Sequence, residues 1–307
     1  MKLRKSAAVA AIAVLALTAT ACGGKEGSAG DKPGGKQPGS SEAPPLPTYE
    51  VAKDVALDSP AFKKAKKRGK LIIGAKADQP YLGFEDQSTK ERSGFDIEIA
   101  RMIAADLGFS KDQIEWKTVD SGIRETAISK GQVDYFVGTY TINDERKKQV
   151  GFAGPYYKAG ADLLVRKDEK DIKGKETVKG KKVCSIVGST PLQEIKKPEY
   201  GASVVEFAKY SDCVQQLLTK QIDAVTTDDS ILKGYAASNP DKLKVVGQPF
   251  TDEPYGVGLN KDDKVLREAI NDSLERHVLD GTYKKIYEAT LGLSGSEFTL
   301  PPALERY

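Results

Sequence analysis

From Lys70 onward the chain alternates short apolar runs with amphipathic stretches at helical spacing, and that alternation leaves few folds open. LIIGA (71–75) is a fully apolar run of strand length. GFDIEIARMIAADLG (94–108) puts Phe95, Ile99, Met102, Ile103 and Leu107 near one helical face and stops at Gly108, a C-cap residue type. IEWKTV reads as a strand, IRETAISKG as a helix ending at Gly131, and DYFVG (134–138) as the next strand. The pattern then repeats with KKVCSIV, STPLQEIKK, SVVEFA, CVQQLLTK and IDAVTTD. Such alternation builds largely parallel sheets covered by helices. The expected fold class is therefore α/β, with two lobes, each a mostly parallel sheet flanked by helices. Two extended crossings, AGADLLV near 159–165 and YGVGL near 255–259, make a two-strand hinge, and a helical tail over 265–291 closes the fold. The expected boundaries are residues 51–160 with 256–295 for lobe 1, residues 161–255 for lobe 2, and residues 296–307 for a C-terminal tail.

The first 50 residues are of another kind. Lys2, Arg4 and Lys5 form a basic start, and residues 7–17 are apolar but too short to span a bilayer. Ala19, Thr20, Ala21 and Cys22 follow, which is similar to a lipoprotein signal whose cleavage leaves Cys22 as a lipid-modified N-terminus. Ala19 stands where such signals prefer leucine, so an ordinary secretory signal cut near Ala21 is the alternative. Residues 1–21 are thus read as the signal. Residues 22–50, rich in Gly, Ser, Pro and Lys, are read as a flexible tether between a membrane anchor and a folded body. This places the body on the extracytoplasmic face of the cell membrane.

Lys and Arg number 47 against 44 Asp and Glu, a net charge of only +3, which argues against nucleic acid as a partner. The basic run at 63–68 reads as a solvated helix face, with docking at a membrane surface as the sharper alternative. Cys184 and Cys213 are an even pair in an exported chain. A disulfide between them would close a loop of roughly 30 residues, worth about 3–4 kcal/mol. Two buried free thiols are the other reading.

Chemistry concentrates where strands end, the place at which open α/β sheets bind ligands. GTYTINDER (138–146) sets Thr139, Thr141 and Arg146 just past DYFVG, with Asn143 as the expected N-cap of a helix. Hydroxyls, free N–H groups and a guanidinium at one strand end suit a small carboxylate. Lys76 follows LIIGA, Gly188, Ser189 and Thr190 follow CSIV, and Asp228 follows DAVTT. VGST lacks the lysine and spacing of a phosphate loop and reads as a strand-to-helix turn. No nucleophile elbow or Cys–His pairing is present, and the one histidine, His277, lies in a helical run far in sequence from these strand ends. Asp228 and Asp229 have no further acid at ligand spacing, so no metal and no cofactor are expected.

Several of these segments together resemble the polar-amino-acid family (family 3) of ABC-transporter solute-binding proteins. GFDIEIA, TYTINDER and VGSTP carry the resemblance, which covers nearly all of residues 70–291. KADQPYLG, SIVGSTP, DAVTTDDSIL, PFTDEPYGVGL and the cysteine pair resemble its glutamate-binding lipoproteins from high-GC Gram-positive bacteria. The resemblance implies that Arg146 holds a ligand α-carboxylate, helped by the Thr141 hydroxyl and the Ser189 and Thr190 amides. It implies that Asp228 holds the α-ammonium with the Thr139 carbonyl and the Thr141 hydroxyl, and that Tyr81 stacks a ring on the ligand. Lys76 and Arg124, with Gln79 beside them, fall at positions that address an acidic side chain. Their alternative is a structural salt bridge, for example to Glu85 or Asp120. The expected function is a lipid-anchored, monomeric receptor that delivers glutamate, or aspartate, to ABC permease subunits with an ATPase. A glutamine or asparagine binder, a sensor feeding a signalling partner, and an enzyme using Asp229 or Glu253 are the competing readings.

Overall fold

The apolar runs of the sequence become the strands of two five-stranded sheets in a computed structural model that describes residues 43–307. In chain order the elements are α1 (Pro60–Arg68), β1 (Leu71–Ala75), β2 (Asp78–Gln79), β3 (Gly83–Glu85), β4 (Arg92–Ser93), α2 (Phe95–Asp106), β5 (Ile114–Thr118), α3 (Arg124–Ser129), β6 (Tyr135–Val137), α4 (Asp144–Lys147) and β7 (Gly151–Ala159). There follow β8 (Ala161–Arg166), β9 (Lys182–Ile186), α5 (Thr190–Ile195), β10 (Ser203–Phe207), α6 (Tyr210–Leu218), β11 (Ala224–Asp228), α7 (Asp229–Ser238), β12 (Leu243–Val246), β13 (Glu253–Leu259), α8 (Lys264–Leu279) and α9 (Thr282–Ala289).

Lobe 1 is built on the sheet β5-β1-β6-β13-β7 and lobe 2 on β10-β9-β11-β8-β12. In each sheet one strand runs against the other four: β13 in the first and β8 in the second. Each reversed strand is the one by which the chain arrives from the other lobe. β8 continues β7 after Gly160 alone, and β13 returns from lobe 2. The second crossing therefore precedes YGVGL, which pairs with β6 and β7 inside the first sheet. The two crossings lie side by side, since Phe250 N donates to Ala161 O (2.9 Å) and Ala161 N to Thr251 Oγ1 (2.8 Å).

The apolar face predicted for residues 94–108 packs as α2. Phe95 at its start meets the rings of Tyr156, Tyr157, Tyr283 and Tyr287 at centroid distances of 5.6–6.1 Å. This aromatic cluster fixes α2, β7 and α9 to one another, and with them the strand ends that carry the site. The expected helical tail is two helices, α8 and α9, broken at Gly281, whose φ of +81° is left-handed. Residues near the C-terminus hold to lobe 1, where Glu305 N donates to Gly154 O (2.8 Å) and Phe152 N to the Tyr307 hydroxyl (3.0 Å). At the other end, Tyr49 within the expected tether donates to Glu98 (2.9 Å). The expected signal, Cys22 and the first part of the tether lie outside the described residues. Cys184 of β9 and Cys213 of α6 are joined as a disulfide with Cα atoms 5.7 Å apart. No helix among the described residues is long and apolar enough to cross a membrane.

Candidate functional site

The carboxyl ends of β1, β6, β9 and β11 face one another across the junction of the lobes. Thr139 leaves β6 with φ of +46°, a left-handed conformation that costs a β-branched residue about 1–3 kcal/mol. Asp96, the acid of GFDIEIA, holds it there: Oδ2 accepts from Thr139 N (3.0 Å) and Oδ1 from the Tyr156 hydroxyl (2.8 Å). Burial pushes the Asp96 carboxyl up to about 6. Four residues on from Thr139, Asn143 caps α4 as expected, its side chain accepting from Arg146 N (2.9 Å). That cap sets Arg146 at the mouth of lobe 1. Its Nη1 donates to Thr141 O (2.7 Å), its Nη2 to Gly188 O of lobe 2 (3.0 Å), and its Nε lies 3.5 Å from Glu125.

Arg124 opens α3 beside it. Both guanidinium groups lie over the Tyr140 ring, at 4.3 Å for Arg124 and 5.0 Å for Arg146. Arg124 donates through Nη2 to Gly188 O (3.0 Å), while its buried Nε has no partner. Burial and the Arg146 charge lower it to about 10. Lys76 donates to Val119 O (3.1 Å) and Ser121 Oγ (2.8 Å). Burial and the Arg124 charge lower it to about 7. Neither residue forms the salt bridge that was the alternative reading. Glu85 is taken by Arg92 at 2.7 Å.

From lobe 2, Ser189 caps α5 by accepting from Leu192 N (3.2 Å). Its own amide is already committed to Ile186 O (3.2 Å), so the amide role expected of Ser189 is taken up inside the turn. Asp228 ends β11, buried. Oδ2 accepts from the Tyr255 hydroxyl (2.6 Å) and Oδ1 has no partner. Burial and the Glu253 charge push its carboxyl well above the usual range.

These groups enclose a cavity of about 10 Å³, with Ser121, Arg124, Thr139, Thr141, Arg146, Ser189, Thr190 and Asp228 in its wall beside Tyr210 and Ile231. That is room for about one water, so the cleft is closed. Lys76 and Gln79 stand one layer behind, through Ser121 and through the contact of Gln79 Nε2 with Thr139 Oγ1 (3.2 Å). Tyr81 does not reach the cavity; its ring lies beside Gly234 of α7 at the rim. Sequence reasoning missed Ser121, Tyr140, Tyr210 and Tyr255. The spacing of Glu253 and Tyr255, two residues apart on one strand, is the signal for a shared face. His277 is remote, set between Asp106 and Asp280 at 3.0 Å each. Among the described residues no cluster of His, Cys, Asp and Glu is suited to a metal ion.

The family described as bacterial extracellular solute-binding proteins, family 3, matches residues 71–292. The glutamate-binding protein GluB of Corynebacterium efficiens is 36% identical over 299 residues, covering 94% of this chain and 91% of that protein. The ABC transporter glutamine-binding protein GlnH of Bacillus subtilis is 40% identical, covering 78% and 86%. Among solved structures, an ancestral arginine-binding protein bound to glutamine is 40% identical with a TM-score of 0.68, covering 73% of this chain and 99% of that one.

Proposed function

Because the chain belongs to family 3 of the bacterial extracellular solute-binding proteins, we propose that it binds L-glutamate, with L-aspartate second, between its lobes. In this reading it is tethered through Cys22 and delivers the ligand to the permease subunits of an ABC importer. One observation carries the reading. Two buried polar atoms of ionisable side chains lack partners, Arg124 Nε from lobe 1 and Asp228 Oδ1 from lobe 2, and both residues line the same cleft. Leaving a buried charged group unsatisfied costs more than ~1–3 kcal/mol, and an amino acid offers an anion to one and an ammonium to the other. Arg146 then takes the α-carboxylate, Asp228 with the Thr141 hydroxyl the ammonium, and Arg124 with Lys76 and Ser121 the side-chain carboxylate.

Charge supports an acidic ligand. Glu125 lies 3.5 Å from Arg146, but Lys76 and Arg124 have no carboxylate in an ion pair, so a side-chain carboxylate on the ligand supplies the counter-charge they lack. A glutamine-binding reading has its own support: with Lys76 lowered to about 7, a neutral lysine leaves less positive charge for a ligand side chain to balance. Calorimetry with Glu, Asp, Gln and Asn separates the two. The expected result is tight, stoichiometric binding led by glutamate, with the ligand recovered unchanged after long incubation. Arg146→Ala should abolish binding of all four. Arg124→Ala should weaken glutamate by about tenfold or more and glutamine much less; equal losses remove its assigned role.

A further inference from the structure

Glu253 has no role toward the ligand in the reading above, yet it is only 2% exposed and sits against the cleft wall. It begins β13, just after the second crossing between the lobes. Its Oε2 accepts from Thr141 Oγ1 (2.6 Å) and from Thr190 Oγ1 (2.5 Å), and its Oε1 from Thr251 Oγ1 (2.8 Å). Thr141 belongs to lobe 1 and Thr190 opens α5 of lobe 2, and their hydroxyl oxygens are 3.4 Å apart. One carboxylate oxygen at the start of β13 thus gathers one hydroxyl from each lobe.

A hydroxyl has a single proton to donate. With both protons on Glu253, Thr141 and Thr190 turn only lone pairs toward the cavity they line. Lone pairs receive an ammonium group and repel a carboxylate. Tyr255, two residues along the same strand, donates to Asp228 Oδ2 (2.6 Å), so β13 orients both the hydroxyls and the acid.

We propose that Glu253 is a positioning residue that joins the lobes on closure and makes the Thr141 and Thr190 hydroxyls acceptors for the ligand's ammonium group. The ammonium part rests on the amino-acid reading above; the joining of the lobes does not. The arrangement has a proton consequence. Asp228 is faced by Glu253, Asp229, Arg146 and the hydroxyls of Tyr210 and Tyr255, and the balance favours its protonated form in the free cleft. An arriving ammonium lowers the Asp228 pKa and drives that proton off. Affinity therefore rises with pH through the range in which free Asp228 ionises. Without the Glu253 charge Asp228 ionises earlier, and less proton is released.

The test is Glu253→Gln against the wild-type protein, with Thr190→Val as companion. Calorimetry of L-glutamate and L-glutamine in two buffers of different ionisation enthalpy gives the affinity and the protons released. A spin-label pair, one label on each lobe, gives the ligand-free distance between them. Glu253→Gln should weaken both amino acids about 10–100-fold, as loss of hydrogen bonds to a charged group does. It should also cut the proton release and lengthen the label distance. Thr190→Val should lengthen the distance and keep the proton release. Unchanged proton release and unchanged distance in Glu253→Gln overturn the proposal. If that variant does not fold, Thr190→Val decides, and wild-type distance with wild-type affinity overturns it. A wild-type protein that binds none of the four amino acids sinks the functional reading, while the label distances still decide whether Glu253 joins the lobes.

Discussion

Lys76 is a buried cation held by two neutral oxygens, Val119 O and Ser121 Oγ, with no carboxylate in an ion pair. Its pKa falls to about 7 from an ordinary 10.5 because burial and the Arg124 charge oppose the ammonium form. The folded value lies below the unfolded one, so charging Lys76 costs stability in full below about pH 7. The cost shrinks as pH rises toward the unfolded value and is gone above it. Lys76→Met should therefore stabilise the free protein at pH 6 by ~1–4 kcal/mol, as replacing a poorly compensated buried charge does. That gain should fade by about pH 10, the ordinary lysine range. Glutamate affinity should drop more than glutamine affinity. Urea unfolding at the two pH values, with calorimetry beside it, checks this; equal gains at both show that Lys76 carries no charge penalty. The basic residues themselves were legible in the sequence as a lysine after one strand and an arginine opening a helix. Their lack of a counter-ion was not, because Glu85 is removed by Arg92, whose position depends on the β3–β4 pairing. The place of Tyr81 at the rim was hidden for a similar reason, since its φ of +65° and its neighbour α7 are set by tertiary packing.

At the scale of elements, periodicity and caps predicted which segments become strands and helices, and Asn143 caps where residue type placed it. What periodicity does not carry is which strands pair. YGVGL reads as extended wherever it sits, and only its insertion between β6 and β7 shows that the crossing comes earlier. The strands β2 to β4 are two or three residues long, too short to hold any period. The disulfide is the strongest tie between two elements of lobe 2. It fixes α6 to β9, and α6 begins with Tyr210, which lines the cavity. Cys213→Ala should cost about 3–4 kcal/mol, the loop-closure value for a separation of 29 residues. Because α6 also carries part of the cleft wall, ligand affinity should fall by about two- to tenfold, an ordinary response to a loosened helix. Urea unfolding and calorimetry on the variant measure both. Stability equal to that of the oxidised wild type would mean that packing alone holds α6.

For the whole molecule the closed cleft sets the conditions of binding. A cavity of about 10 Å³ admits no amino acid, so a ligand must enter while the lobes stand apart and then replace contacts that the lobes make with each other. The Gly188 carbonyl is the centre of those contacts, accepting from both Arg124 and Arg146 across the cleft at 3.0 Å. Asp78 makes another, its Oδ2 accepting from Ser211 N (3.2 Å) and its carbonyl from the Tyr235 hydroxyl. Gly188 has φ of +81°, and a Cβ there would stand 2.7 Å from both Gly122 Cα and Ser121 O of the opposite lobe. Both obstructing atoms are backbone, so a methyl group must either hold the lobes apart or strain the turn. Gly188→Ala should therefore weaken binding about tenfold or more, from roughly 1–3 kcal/mol of strain that falls on the closed state. Entry occurs to the open form, so the association rate should change little and the dissociation rate should carry the loss. Stopped-flow binding, with the inter-lobe label distance measured in the presence of ligand, tests this. Wild-type dissociation with a wild-type closed distance would show that the lobes close without the Gly188–Gly122 approach, and the contact would then belong to the free protein alone.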